Sequence, residues 1–282
     1  MRVQSALSVL DSFFVVKSKK GGKVLNSIFK HTENNGEVII TGLQEGLATT
    51  SIVIPETIDG MPVIEIGPKA FQSTSITNIK IGENIRGIGE KAFYMCKKLK
   101  SVTWNHKCDV VPAFCFSECS NLTKFDFSNV KKIGLYAFYK SGLQEVCLPK
   151  NIKVLEEGTF SGCSKLQSVT WHCQCDVIPA FCFDKCSNLT QFDFSNIKKI
   201  EARAFRGSGL TSVTLNKGTA VDQNCFAQCN DLKKIEWLSD RSIEGDIFMG
   251  CKNIKEIFIS DNVKNIEVSA FASSPNAEIS FI

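Results

Sequence analysis

The feature that most constrains this chain is a phenylalanine that returns every 21 to 23 residues. It stands at Phe71, Phe93, Phe116, Phe138, Phe160, Phe183, Phe205, Phe226, Phe248 and Phe271, usually after Ala or Cys. Ten markers at one spacing mean ten turns of a single unit, too short to fold alone and stabilised by stacking on its neighbours. A longer echo lies over this beat. Leu166–Leu210 placed 67 positions back falls on Leu99–Leu143 and matches it at 31 of 45 positions. The echo is three units long, and Trp104, Trp171 and Trp237 mark the same place in successive triplets. A stack grows in one direction, so the length of 282 residues does not translate into a count of globular domains.

Within a unit, L-x-x-V-x-(W/F/L) alternates as a strand does. Val102 and Trp104 go to one face and Thr103 to the other. Equivalent strands about 4.8 Å apart then predict one parallel sheet whose inner positions pile like on like. Upstream the pattern differs. Asn34-Asn35-Gly36 between extended runs is a hairpin signal, and SIVIPETIDGMPVIEIG reads as two short strands about Asp59-Gly60. The expected organisation is an N-terminal helix or flexible arm over residues 1–24, a β-hairpin cap over 25–66, and a solenoid of about ten 22–23-residue units over 67–282.

The thirteen cysteines follow the same beat. Cys96, Cys119, Cys163, Cys186, Cys229 and Cys251 come three residues after a marker; Cys115, Cys182 and Cys225 come one before. Ser141, Ser208, Thr74 and Ser274 serve at the first of these places, which points to a small buried thiol rather than a cross-link. Free thiols lean toward a reducing compartment. The N-terminal apolar run is broken by Asp11 and lacks a small-residue cleavage site, so it reads as a poor secretion signal or as an amphipathic helix with Val3, Leu7, Leu10 and Phe14 on one face. No stretch is long and apolar enough to span a membrane. A net charge of +4 is too small and dispersed for nucleic acid, and Lys17, Lys19, Lys20 and Lys23 around Gly21-Gly22 read as a solvated link.

The pattern (L)xxVx(L)…IxxIGxxAFxxCxxL is clearest in IRGIGEKAFYMCKKLKSVTW and VKKIGLYAFYKSGLQEVCLP. With the lead-in IVIPETIDGMPVIEIGPKAF, it resembles the BspA-like leucine-rich-repeat surface antigens over about residues 36–282. Two units depart from it, TAVDQNCF and SIEGDIF losing the second Ile, and the Pro after the strand survives only at Pro149. The resemblance implies a leucine-rich-repeat horseshoe and a non-enzymatic role in protein recognition or adhesion. Partners would be host extracellular or cell-surface proteins, and the location the cell surface or secreted. An intracellular scaffold or adaptor is the alternative, with cytoplasmic location if the N-terminal signal is not real.

Candidate chemistry is thin. Cys and His meet at His106/Cys108 and at His172/Cys173/Cys175, yet in the 67-residue superposition His172 falls on Asn105, so these are not copies of one nucleophilic site. CxxxC at 115/119, 182/186 and 225/229 carries the spacing of the marker's flanks rather than paired zinc knuckles, and no cofactor or metal is expected. Asn121-Leu122-Thr123 and Asn188-Leu189-Thr190 are sequons inside the copied phrase CSNLT, where Asn turns the chain and Leu enters the core.

What remains is the outward row of the sheet. Its candidate binding residues are Ser101, Thr103, Lys124, Asp126, Ser168, Thr170, Gln191, Asp193, Thr214, Glu236 and Phe258, with Lys80, Glu145, Cys147, Ser212, Lys234 and Glu256 beside them. The row is polar, turning apolar toward Leu238 and Phe258. At the far end Ile279 and Phe281 lie on the last strand with no polar cap after them, an open edge that predicts either tail-to-tail self-association or a truncated chain.

Overall fold

The computed structural model describes residues 28–46, 50–105 and 107–282. The arm expected over 1–24 lies outside the described residues, as does His106. The chain is a β-solenoid whose coils cross two parallel ladders and close through a turn carrying the marker phenylalanine. Rungs of the first ladder are Ser51–Val53, Asn78–Lys80 and Ser101–Thr103, then Glu145–Leu148 and Ser168–Trp171, then Ser212–Leu215, Lys234–Trp237, Glu256–Ile259 and Glu278–Phe281. Pairing keeps like over like, with Val213 against Ile235, Ile257 and Ile279 in succession. The second ladder uses two-residue rungs such as Val110–Val111, Lys132–Ile133 and Val154–Leu155, and ends on the bridge between Ile243 and Ile266.

At the amino-terminal end, Phe29–Asn34 and Glu37–Leu43 form an antiparallel hairpin. Asn35 and Gly36 both take positive φ (50° and 75°), as a tight Asn-Gly hairpin turn requires. Glu37–Leu43 runs parallel to Met61–Ile66, which pairs in turn with Gly87–Ile88 of the second ladder. Met61–Ile66 also turns back on Thr57–Ile58 about Asp59-Gly60.

The ten phenylalanines form one column. All nine successive pairs stack with ring centroids 5.2–5.8 Å apart and planes within 25°. That offset stack is a preferred aromatic geometry, and the coil repeat imposes it. The turn below is held by backbone bonds to the next coil, such as Phe116 N to the Ala137 carbonyl at 2.8 Å. Cysteine has a defined task beside it. The thiols of Cys96, Cys119, Cys163, Cys186, Cys229 and Cys251 each donate to the carbonyl of a marker phenylalanine in the preceding coil, at 2.9–3.2 Å. Ser141 and Ser208, hydroxyls at the same place, contact Cys163 and Cys229 in the next coil.

One expectation is corrected. The single parallel sheet drawn from the V-x-W positions is interrupted twice, because Lys124–Phe127 and Gln191–Phe194 are not strands. In those coils both inward positions carry rings. Phe125 lies 5.3 Å from Trp104, 5.3 Å from Phe116 and 5.1 Å from Phe138, and Phe127 lies 5.4 Å from Phe138. The first inward position holds Val or Ile in every strand rung but Phe125 and Phe192 here, and that ring, next to the indole of the preceding coil, holds the backbone off strand spacing. Asp126 and Asp193 then turn the chain, their Oδ1 atoms accepting from Ser128 N and Ser195 N at 2.9 Å.

Candidate functional site

The outward face of the first ladder falls into three strand segments and two interruptions. In the first segment Ser101 and Thr103 stand beside Asn78 and Lys80, and the Ser101 hydroxyl donates to Asn78 Oδ1 at 2.6 Å. In the second, Ser168 and Thr170 face Glu145 and Cys147. The third carries Thr214, Glu236 and Phe258 across successive rungs. There Thr214 Oγ1 donates to Glu236 Oε2 at 2.9 Å, Lys234 pairs with Glu236 at 2.7 Å, and the same ammonium lies 5.0 Å over the Phe258 ring. Phe258 is therefore half-buried, not a free apolar tip. The bonds from Lys234 and then Thr214 hold the Glu236 carboxyl below the usual range. Beneath this face Val213, Leu215, Ile235, Trp237, Ile257 and Ile259 are fully buried, so the outward groups rest on a dry, close-packed layer.

Lys124, Asp126, Gln191 and Asp193 do not join a rung; all four are exposed in the interruptions. The second interruption opens a hollow of about 270 Å³ between Gln191–Ser195 and the strand edge at Ser212, Thr214 and Asn216. Asn216 bridges it by donating to the Ser195 carbonyl at 3.1 Å. Asp193 is held ionised below its ordinary range by the Ser195 N–H and hydroxyl. Ser195 and Asn216 were outside the predicted row. The D-x-S spacing, shared by Asp126/Ser128 and Asp193/Ser195, was the signal for this turn.

The other sequence candidates fall elsewhere. Leu122 and Leu189 enter the core while Asn121 and Asn188 are exposed, as the CSNLT phrase suggested. Cys115, Cys119, Cys182 and Cys186 are fully buried, and burial pushes each thiol well above its ordinary value. Cys108 is pushed up to about 11 by burial and by Asp109. All thirteen cysteines are free. Each triplet tryptophan pins the turn after it: Trp104, Trp171 and Trp237 donate through Nε1 to the carbonyls of Cys108, Cys175 and Arg241 at 2.7–3.1 Å. After Trp171 this turn borders a second hollow, of about 350 Å³, lined by His172, Cys173, Cys175, Asp176, Lys150 and Asn196 among others. Among the described residues no group of three or more His, Cys, Asp or Glu side chains is placed to hold a metal, and no helix is long and apolar enough to cross a membrane.

Comparison with known proteins agrees with this architecture. No curated protein matches the chain. Among solved structures, a leucine-rich-repeat protein from Bacteroides ovatus superposes with a TM-score of 0.68 at 24% identity, covering 92% of this chain and 81% of its own. A leucine-rich cell surface protein from Faecalibacterium prausnitzii gives 0.59 at 21% identity, with 93% and 77% covered. The pneumococcal vaccine antigen PcpA gives 0.59 at 19%, with 94% and 82% covered. At these identities the likeness speaks for the fold. The profile of the BspA type Leucine rich repeat region adds the sequence: it matches in six copies, over residues 44–167, 126–233 and 154–278. With stacked phenylalanines, two parallel ladders and that match over most of its length, the chain belongs to the BspA-type leucine-rich-repeat family.

Proposed function

We propose that this solenoid recognises extracellular or cell-surface proteins through the outward face of its first ladder. The observation that carries the reading is a row of exposed, mostly short polar side chains in parallel register over a dry core, broken by a hollow with polar walls. Hydroxyl, amide and carboxylate groups at fixed spacing offer hydrogen bonds to a partner at little cost in side-chain ordering. Repeat solenoids use such extended faces for binding, and two structural relatives are described as a cell surface protein and a vaccine antigen.

The test uses surfaces coated with an extracellular-matrix extract. Thr170→Arg and Thr214→Arg place a long charged side chain on the face and are expected to lower retention of the purified chain at least tenfold. Lys153→Ala, on the coil away from this face, leaves it unchanged. Equal retention by all four proteins removes the reading. Thirteen free cysteines, most of them buried, favour a second one: an intracellular scaffold using the same face. Antibody that reaches the protein only after cells are permeabilised selects the scaffold; labelling of intact cells selects surface recognition.

A further inference from the structure

At the amino-terminal rim of the recognition face, lysines gather without counter-charges. Lys97, Lys98 and Lys100 flank Leu99, which is fully buried, so one short turn sets three exposed ammonium groups on the surface. The next coil lies directly beside this turn. Phe93 stacks on Phe116 at 5.2 Å, Met95 N donates to the Ser117 carbonyl at 2.9 Å, and Phe125 meets Trp104 at 5.3 Å. That coil adds Lys124, exposed one residue before Phe125. Lys165 comes from two coils further on. It spans the coil of Gly142, and its Nζ donates to the Ser120 carbonyl at 3.2 Å. All five lysines therefore lie within three coil steps, about 14 Å along the stack. Among the described residues none of the five makes an ion pair. Along the second ladder, by contrast, Lys131, Lys132, Lys198 and Lys199 each have a carboxylate at 2.7–3.1 Å. Two carboxylates near the rim are held by other groups: Glu118 accepts from the Tyr94 hydroxyl at 3.4 Å, and Asp126 from Ser128 N at 2.9 Å. The fold does not need these charges. In the duplicated block the places of Lys97, Lys100 and Lys124 are taken by Ser164, Gln167 and Gln191.

We propose that this rim binds a sulfated glycosaminoglycan. A strip of unneutralised cations fits an extended polyanion, whose condensed counterions are released on contact. The run Lys97-Lys98-Leu99-Lys100 is the short basic pattern that marks such sites, and here its three charges are exposed while its leucine is anchored in the core. Between the lysines stand Ser101, Ser120 and Asn121, all exposed, short groups that can bond the hydroxyls and sulfates of a glycan. A nucleic acid fits less well: no residue of the strip is aromatic, to stack a base, and the strip has no helix to enter a groove. The inference rests on the extracellular reading only for where such a glycan is met. It adds a ligand at residues other than Thr170 and Thr214.

The purified full chain is titrated with heparin at about 0.15 M salt, with unsulfated heparosan and a DNA duplex as comparison probes. Heparin is expected to bind about tenfold more tightly than either, or better. Lys97→Ser, Lys100→Gln and Lys124→Gln together install the residues of the duplicated block, so the unfolding midpoint should not move. That variant should bind heparin at least about tenfold more weakly and lower the slope of log affinity against log salt by about 2–3. Lys131→Gln, Lys198→Gln and Lys199→Gln together remove the same charge from ion-paired lysines and should leave binding within about twofold. Changing Lys17, Lys19, Lys20 and Lys23 together to Gln should do the same. Undiminished heparin binding by the rim variant, an equal loss in either control, DNA or heparosan bound as tightly as heparin, or no heparin binding by the wild-type chain would each overturn the assignment. If heparin binding fails while Thr170→Arg and Thr214→Arg still lower matrix retention, this inference falls and protein recognition stands; the reverse result keeps the rim and removes that reading.

Discussion

Replacing Phe160 by alanine tests whether the aromatic column holds the solenoid together. Phe160 is fully buried and stacks on Phe138 at 5.8 Å and on Phe183 at 5.7 Å, with Phe127 meeting its edge at 6.2 Å. Truncating such a ring leaves a cavity whose lining is fixed by coils on both sides, and costs about 3–5 kcal/mol. Two stacked neighbours place it at the upper end, since each aromatic pair is worth about 0.5–1.5 kcal/mol beyond burial. Phe271 is the control. It lies at the end of the column, 8% exposed, with a single stacked neighbour, Phe248, at 5.6 Å. Phe271→Ala therefore removes one interface rather than two, and we expect about 2 kcal/mol. In a stack stabilised by nearest-neighbour interfaces, a mid-column gap also uncouples the two halves. Urea unfolding followed by Trp fluorescence should show a lower midpoint and a shallower slope for Phe160→Ala, and a lower midpoint alone for Phe271→Ala. Equal losses at the two positions, or a loss under about 1 kcal/mol at Phe160, would refute the column as the organising interaction.

Other consequences are as direct. Gly158 sits at φ +63° beneath the Tyr136 ring, so Gly158→Ala should destabilise by about 1–2 kcal/mol from backbone strain alone, with Tyr136→Ala relieving only the added contact. Lys185 holds φ +58° where the flanking coils place Gly162 and Gly207, and Lys185→Gly should raise stability by about 0.5–1 kcal/mol in the same urea assay. Arg206 grips the buried Asp184 through Nε at 2.7 Å and Nη2 at 3.1 Å; Arg206→Ala should cost about 2–3 kcal/mol, and Arg206→Lys recover only part of it. Glu156 accepts from Lys132 Nζ at 2.7 Å and Leu135 N at 2.8 Å, and the Lys132 bond above all holds its carboxyl below the usual range. A carboxyl so depressed stabilises the fold at neutral pH and loses that contribution as pH falls from its unfolded value through its folded one. Thermal melts between pH 6 and about pH 3 should therefore fall less steeply in Glu156→Gln.

The column, the parallel pairing and the buried thiols were legible because each is a statement about period, and a stack turns period directly into contact. Three features were hidden by chemistry that varies from coil to coil. The residues two before and two after each marker adopt left-handed backbone in most coils, but they are Lys, Phe, Tyr, Arg, Asn, Ser, Met, Glu or Gln at thirteen of these positions and Gly at only four, as at Lys91, Met95, Phe114 and Glu118. Backbone bonds to the next coil, such as Phe114 N to the Leu135 carbonyl at 2.8 Å, impose a conformation that local preference would not choose. The second ladder, two residues wide, falls below the length at which alternation can be read. The interruptions at Lys124–Phe127 and Gln191–Phe194 were masked by a correct alternation of faces, since the fault lies in side-chain volume rather than polarity. Of the candidate site, the outward direction was readable; the hollow at Gln191 was not, because it follows from that volume mismatch.

The duplicated block lets packing and surface be separated within one chain. Between Leu99–Leu143 and Leu166–Leu210 the inward residues Val102/Val169, Trp104/Trp171, Phe116/Phe183, Leu122/Leu189 and Phe127/Phe194 are unchanged, and Val111/Ile178 and Val130/Ile197 differ by one methylene. A core that close-packed tolerates little else. One buried polar difference comes with a matching change beside it. Ser117 becomes Asp184, and its neighbour one coil on, Tyr139, becomes Arg206. The Ser117 hydroxyl is buried with no hydrogen-bond partner among the described residues, whereas the Asp184 carboxylate, 7% exposed, is gripped by both Arg206 donors. A carboxylate at that depth is tolerated only with its cation in place, so the two changes stand as a matched pair across neighbouring coils. The exposed differences show no such pairing: Lys100/Gln167 and Lys124/Gln191 change charge freely on the outward side. Inside, each rung answers to the rungs beside it. Outside, at Lys100/Gln167 and Lys124/Gln191, no ion pair or side-chain hydrogen bond among the described residues fixes the choice, and that freedom suits the recognition face proposed above.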